Sequence, residues 1–496
     1  MPLVPLQIPP GVYRNGTEYE AKGRWFDTNL VRWREGLLEP IGGWARFDET
    51  QLDGKARGIL AWRANDSARY IAVGTNTKLY GSQGGQFYDI TPSGFTTGKA
   101  DSQPGLGWGT ASYGDGDYGV SRPSSDLIDA ATWSLDNWGE YLVACSTADG
   151  KVYEWQLDVN SDAAVLSNAP TDNVGIIVTN ERYLVCLGAG GNKRKVQWSD
   201  QEDNTTWTPS DVNTAGDLEL ETNGQIACAR RVGNDILIWT DIDVHLMRYL
   251  GPPFVYGIER IAVGSGIVGP KAVSVSGNTA IWLSESGFWL YDGSIRPLPC
   301  DAVLDVTDNI NRDQQVKVYG GHNSEFGEMW WFYPSLESIE NDKYIVYDYR
   351  ENHWMVGELA RTAWVDQGAL GEPLAVGADG YVYEHETGFL DNGATRVGSV
   401  FAESGPIEVG QGDRFAVINR IIADEYAVIP SVRATILTKN TPQSTESTDQ
   451  YSFDESDGYI DTRINARQLK MKLEAIRDAG FKFGTLRMDI KQGSRR

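Results

Sequence analysis

Four stretches carry residue types whose chemistry depends on spacing, and each fails its spacing test. "SGFTTGKAD", from Ser93, has the glycines and lysine of a loop that cradles phosphate. Its glycines, Gly94 and Gly98, are one residue too close, and Ala100 stands where Ser or Thr would hold magnesium. "GLGWG", from Gly105, lacks the remaining spacing of a dinucleotide fingerprint, and no βαβ pattern surrounds it. "DGDYGVSRPSSD", from Asp115, has calcium-loop carboxylates at its first and third positions, but Val120 replaces the turn glycine and Asp126 the terminal Glu. "DIDVH" would align Asp241, Asp243 and His245 on one strand face, a ligand-like set with no second histidine nearby in sequence. The physical reading of these stretches is glycine-rich loop or polar strand face.

Hydrolytic chemistry finds no better footing. The 4 histidines are His245, His322, His353 and His385, and neither HExxH nor GxSxG occurs. With 68 Asp and Glu, paired carboxylates for glycoside hydrolysis are neither excluded nor located. The sialidase turn S-x-D-x-G-x-T-W is absent, and "SESGFW" at Ser284 is a faint echo of it. No catalytic, cofactor-binding or metal-binding residue is nominated, and the expectation is a non-enzyme without cofactor. Cys145, Cys186, Cys228 and Cys300 form no CxxC pair; Cys145 and Cys186 lie in apolar runs, as reduced small hydrophobes would. That composition implies synthesis in a reducing cytoplasm.

The elements that must position any site are strands. Of 496 residues, 55 are Gly, 17 Trp and 23 Tyr, a bias towards β structure with tight turns. Seven apolar hairpins recur, starting at Tyr70, Tyr141, Tyr183, Asp235, Thr279, Met329 and Glu372, with gaps of 71, 42, 52, 44, 50 and 43 residues. Two of them read almost alike, "LVACSTADGKVYEW" and "LAVGADGYVYE", each turning at Asp-Gly. Each hairpin follows another β-like piece, such as "GILAW" at Gly58, and several precede a fourth, such as "FVYGIERI" at Phe254. Four short strands every 40 to 50 residues is the pattern of a β-propeller blade. The expected fold is all-β: a propeller over residues 51–394, with seven blades and six or eight as alternatives, plus a C-terminal β-sandwich-like domain over 395–496. The one long gap holds a Gly- and aromatic-rich insertion, residues 93–125, whose Trp108, Tyr113 and Tyr118 suit docking onto another subunit, disorder being the alternative.

Residues 1–50 read as an extended arm, with "NLVRWREGLLEPIGGW" able to add a strand to the last blade and close the ring. At the other end, Leu469, Met471 and Leu473 alternate with lysines, although Leu469, Leu473 and Ile476 also fit a helical face stopped at Gly480. No apolar run is long enough for a membrane helix, and "MPLVPLQIPPGVYRNG" has no basic region before an apolar core, so no signal peptide is expected.

Net charge is −24, unevenly spread. Residues 463–496 hold ten Lys/Arg against three Asp/Glu, leaving 34 basic and 65 acidic residues in the first 462. A body this acidic repels DNA, because binding by counterion release needs cations against phosphates.

Several phrases resemble a known family. "VQWSDQEDNTTWTPS" from Val196, "GFWLYDGSIRPLPC" from Gly287, "EMWWFYPS" with "KYIVYDYRENHW", "YVYEHETG" and the terminal "GTLRMDIKQGSRR" together look like tail proteins of short-tailed bacteriophages. They are similar to packaged-DNA stabilisation proteins, the tail accessory factors or nozzle and hub subunits. The resemblance implies a structural virion protein, made and assembled in the host cytoplasm. It would form a homo-oligomeric, sixfold ring below the portal that retains the genome and then lets it pass. Implied partners are portal or adaptor proteins, other tail proteins, and DNA passing without sequence-specific contact; membrane insertion is not expected. The basic C-terminal strand pair, with Arg487, Lys491, Arg495 and Arg496, suits docking onto an acidic neighbour. A receptor-binding tail protein and a propeller glycan hydrolase are the competing expectations.

Overall fold

The structure is a computed structural model, and it describes residues 3–104, 127–408, 415–422, 425–427, 431–440, 444–452 and 459–492. Among the described residues, seven four-stranded antiparallel sheets follow one another as blades. Blades one to three begin with the inner strands Ala56–Arg63, Trp133–Trp138 and Gly175–Val178. Blades four to seven begin with Ile226–Val232, Val273–Ser276, Tyr319–Asn323 and Arg361–Val365. Each inner strand neighbours the next, and Arg361–Val365 returns to Ala56–Arg63 to complete the ring. The seven sequence hairpins are the second and third strands of these blades.

Two local devices build the blades. Asp149-Gly150 and Asp379-Gly380 turn their hairpins with glycines at φ 63° and 85°, a region open to Gly at no steric cost. In each, the tyrosine four residues after the Asp, Tyr153 or Tyr383, donates its hydroxyl back to that carboxylate. Between blades, tryptophan indoles act as struts. Trp133 donates to Thr75 O at 2.6 Å, Trp331 to Ala272 O at 3.0 Å and Trp364 to His322 O at 2.9 Å, each reaching back to the preceding blade or its entry. Each ring thus buries its apolar body while its N–H finds a partner.

Residues 1–50 do not form a free arm. Trp44–Arg46 pairs with Val382–His385 as the fourth strand of blade seven, which is the ring-closing strand. The preceding strands instead join the C-terminal segment. Leu3–Leu6 pairs with Leu486–Gln492, Trp25–Asn29 with Phe401–Ser404, and the Val31–Arg34/Leu37–Pro40 hairpin with Phe481–Phe483. Gln468–Ala475 is a strand rather than a helix, held by Val432–Lys439 on one side and Phe401–Ser404 on the other. Ile418, Ile436, Ile464, Met471, Phe481 and Met488 form a core between these sheets that is continuous with the propeller core.

Candidate functional site

The most elaborate polar constellation lies where the second domain meets blades six and seven. Arg32 sits in the apolar run "NLVRW", in the strand Val31–Arg34, which is buried on both faces between Val31 and Trp33, and it is 3% exposed. A buried guanidinium needs counter-charges. Glu328, opening the second strand of blade six, accepts from Arg32 at 2.8 and 3.1 Å. Glu386, just after the third strand of blade seven, accepts at 2.6 and 3.0 Å. Arg32 also lies 3.6 Å from the centroid of the Phe326 ring.

The two carboxylates differ in proton affinity. Burial pushes Glu328 up, with Arg32 opposing. For Glu386 burial also acts upward, but Arg32, Gly42 N–H and Asn323 hold it below the usual carboxylate range. Arg32, despite burial, is held firmly charged by both. Carboxylates pushed apart in this way are the signature of acid–base pairs in glycosidases. Here a cation bridges both, and Glu328 is 1% exposed, so the set is an interdomain clamp.

His385, beside Glu386, belongs to the same junction. It is fully buried between Trp44, stacked at 5.4 Å, and Trp364, at 4.9 Å. Arg361 Nε donates to His385 Nε2 at 2.9 Å, which places the imidazole proton on Nδ1. The phrase "EHETG" therefore fastens the ring-closing strand: His385 stacks on Trp44, and Glu386 takes the Gly42 N–H. An open cavity of about 410 Å³ adjoins the clamp, walled by Phe326, Phe389 and Phe481 with Arg34 and Lys482 at its edge.

The residues singled out from sequence fall elsewhere. Arg487 and Lys491 share the exposed face of Leu486–Gln492. Arg495, Arg496, Trp108, Tyr113 and Tyr118 lie outside the described residues. The base of the insertion is described: Gln103–Pro104 pairs with Leu127–Ile128. It is tied across the ring by buried cations. Arg57 donates to Ala100 O and to Glu340, and Lys317 to Asp101. Gln314 completes the anchor by both accepting from and donating to the Ser102 backbone. This stem sits beside a cavity of about 380 Å³ at the axis, lined by the strand entries Thr132, Val174, Ile226, Gly269 and Val316.

The ligand-like "DIDVH" set is split. Asp243 and His245 are buried and bonded at 3.0 Å, with Thr222 and Thr240 also donating to Asp243. Asp241 is exposed in the preceding turn, where it accepts from Gln225 N–H. "SGFTTGKAD" is a loop on the blade-one edge, with Gly98 N–H donating to Asn76 O. The calcium-like stretch lies outside the described residues. No group of three or more His, Cys, Asp or Glu suited to a metal occurs among the described residues. Of the described tryptophans, all are buried except Trp289, which is half-buried.

The fold and its clamp define the chain as a seven-bladed β-propeller carrying a second, β-rich domain. No family model matches the chain, and no curated protein matches it. Among solved structures it is similar to a streptogramin B lyase, at 11% identity over 69% of this chain and 96% of that one, with a TM-score of 0.39. It is also similar to BamB from Moraxella catarrhalis, at 10% identity over 69% of this chain and 99% of that one, TM-score 0.36. An exo-beta-1,3-galactanase from Phanerochaete chrysosporium shares 10% identity over 91% of this chain and 100% of that one, TM-score 0.29. These likenesses concern β architecture alone.

Proposed function

We propose that this chain is a structural, non-catalytic subunit of a short-tailed bacteriophage tail. Copies form a ring below the portal that extends the DNA channel, retains the packaged genome and lets it leave. One observation carries the reading: three of the phrases that resemble tail proteins supply framework residues. In "VQWSDQEDNTTWTPS", Trp198 and Trp207 are buried, with indoles bonded to Thr214 O and Asn204 O. "KYIVYDYRENHW" supplies the hairpin strands Lys343–Asp348 and His353–Glu358. "YVYEHETG" supplies His385 and Glu386 of the closure and clamp. Side chains that hold shape are what a load-carrying ring subunit needs.

Charge supports the same role. With a net −24, the subunit presents carboxylates to which a passing duplex does not condense. Its site of action is then the virion, its partners are further copies and portal or adaptor proteins, and its place of synthesis is the host cytoplasm.

The test is electron microscopy of the full-length protein mixed with its portal and adaptor proteins. A ring of this chain around an open channel, continuous with the portal, is the expected image. A chain that stays apart from the portal but binds host cells, or degrades their polysaccharide, overturns the proposal in favour of a receptor-binding or hydrolytic role.

A further inference from the structure

The basic segment belongs to the domain joined to blades six and seven, and the most acidic blades are remote from them in the ring. Within the basic segment, residues 463–496, the lysines of Gln468–Ala475 are neutralised internally. Lys470 pairs with Glu18 and Glu403, and Lys472 lies 3.6 Å from Glu474 and 4.3 Å from the Phe401 ring centroid. Arg463, Arg487 and Lys491 are different. Val417 lies opposite Lys491 on one neighbouring strand and Asn465 on the other, so Arg463, Asn465, Arg487 and Lys491 share one sheet face with Arg420, Asp461 and Asp489, four cations against two carboxylates. The reverse face carries Ile418, Ile464, Leu486 and Met488, all buried. Arg463, Arg487 and Lys491 are exposed, and none of the three has an ion pair among the described residues.

This domain joins the propeller at blades six and seven through Arg32–Glu328 and Arg32–Glu386, with Arg24–Asp301 on the connection from blade five to blade six. In a ring of seven, the side farthest from that junction is blade three, with blade two beside it. Residues 133–221, which build those two blades, hold fifteen Asp/Glu against five Lys/Arg. Asp158, Asp162, Asp211 and Glu221 are exposed there without an ion pair among the described residues. The same arc exposes apolar surface: Val165 is 52% exposed, Val212 94% and Leu218 38%. Apolar surface ringed by like charge is the anatomy of a docking face, with the charges steering approach and the apolar centre holding it.

We infer that the basic sheet face of one copy docks against the acidic outer edge of blades two and three of a second copy. The two faces differ, so the contact is head-to-tail, and successive copies close into a ring when the rotation permits. The inference rests on the ring reading above and names the surfaces that would make the ring.

The experiment uses full-length protein and mass photometry across protein and salt concentrations. One variant reverses the basic face, Arg463→Glu with Arg487→Glu and Lys491→Glu. The other reverses the acidic arc, Asp162→Lys with Asp211→Lys and Glu221→Lys. All six positions are exposed, and circular dichroism checks that each variant folds. The wild type is expected to assemble, more weakly as salt rises, and each variant alone to assemble at least roughly tenfold less well. An equimolar mixture of the two variants is expected to assemble again, because each then offers the other a face of opposite sign. If the wild type assembles and both variants assemble as well as it does, the docking inference falls and the ring reading stands. If the wild type stays monomeric in every condition, with and without portal protein, the ring reading itself falls.

Discussion

Arg32 and Glu386 stand 354 residues apart in sequence, yet two hydrogen bonds of 2.6 and 3.0 Å join them. Glu386 also accepts from Gly42 N–H, two residues before the ring-closing strand, so one carboxylate binds the second domain, blade seven and the closure together. A guanidinium buried between two carboxylates is stable only as a complete set. Arg32→Met leaves Glu328 and Glu386 facing each other without a cation, at a cost of about 3–5 kcal/mol. Replacing the whole set, Arg32→Met with Glu328→Gln and Glu386→Gln, removes the stranded charges and is expected to recover most of that loss. Urea unfolding followed by tryptophan fluorescence checks the order: the triple variant should unfold later than the single one.

His385 gives the stability a pH dependence of definite sign. Burial first, then the charges of Arg361 and Arg396, push its proton affinity well below the ordinary 6.5. The folded chain keeps the ring neutral, while the unfolded chain takes up a proton below that value. This stability is therefore complete above about pH 6.5 and falls as pH drops, by about 1.4 kcal/mol per pH unit for each such histidine. Burial shifts His353 and His245 the same way, so up to three protons contribute. His385→Gln is expected to remove one proton's share of the slope and leave the others. Denaturation midpoints compared between about pH 7 and pH 5 measure it.

The ring was legible because the blades repeat the same local chemistry, an apolar strand, a turn and an aromatic strand, mostly at spacings of 40 to 50 residues. The partition of the first forty residues was not. "NLVRWREGLLEPIGGW" reads as one ring-closing piece, yet its hairpin joins the C-terminal sheets and only Trp44–Arg46 closes the ring. Pairing between chain ends leaves no periodic trace. The clamp had a faint one: an arginine inside an apolar run demands a buried acid, but sequence does not say which of 68. "EHETG" stands out in sequence only as part of a phrase that resembles the tail proteins, and its role emerges only with Arg32, Arg361 and Trp44 beside it. In the last strand Leu486 and Met488 are buried and Arg487 and Lys491 exposed, since a strand with one buried face leaves no choice for the other.

The paired Asp–Gly hairpins predict equal and independent costs. Tyr153→Phe and Tyr383→Phe each remove one hydroxyl bond to a turn carboxylate, Asp149 or Asp379, without opening a cavity. Each is expected to cost about 1 kcal/mol. The two sites lie in blades two and seven with no shared partner, so the double variant should lose the sum. A double-mutant cycle from thermal or urea unfolding tests this, and strong coupling between the two would contradict it.

Closure of the ring depends on three residues, Trp44–Arg46, paired with Val382–His385. Backbone pairing over so short a length is weak, and most of the hold comes from Trp44. Its ring stacks on His385, lies under Arg361 and Arg396 at 5.0 and 5.2 Å, and donates its indole N–H to Asp391. Trp44→Ala therefore removes a buried aromatic together with four specific contacts, at a cost of about 3–5 kcal/mol. The loss has a predicted location as well as a size. Hydrogen exchange should rise first along Val382–His385 and the neighbouring inner strands Arg361–Val365 and Ala56–Arg63, where the ring begins and ends. Blades three to five, remote from the seam, should keep their protection until global unfolding. Trp282→Ala in blade five is the control, since it deletes a comparable buried indole, bonded to Ser265 O, away from the seam. If both variants raise exchange evenly around the ring, the short closing strand is not the point at which this propeller opens.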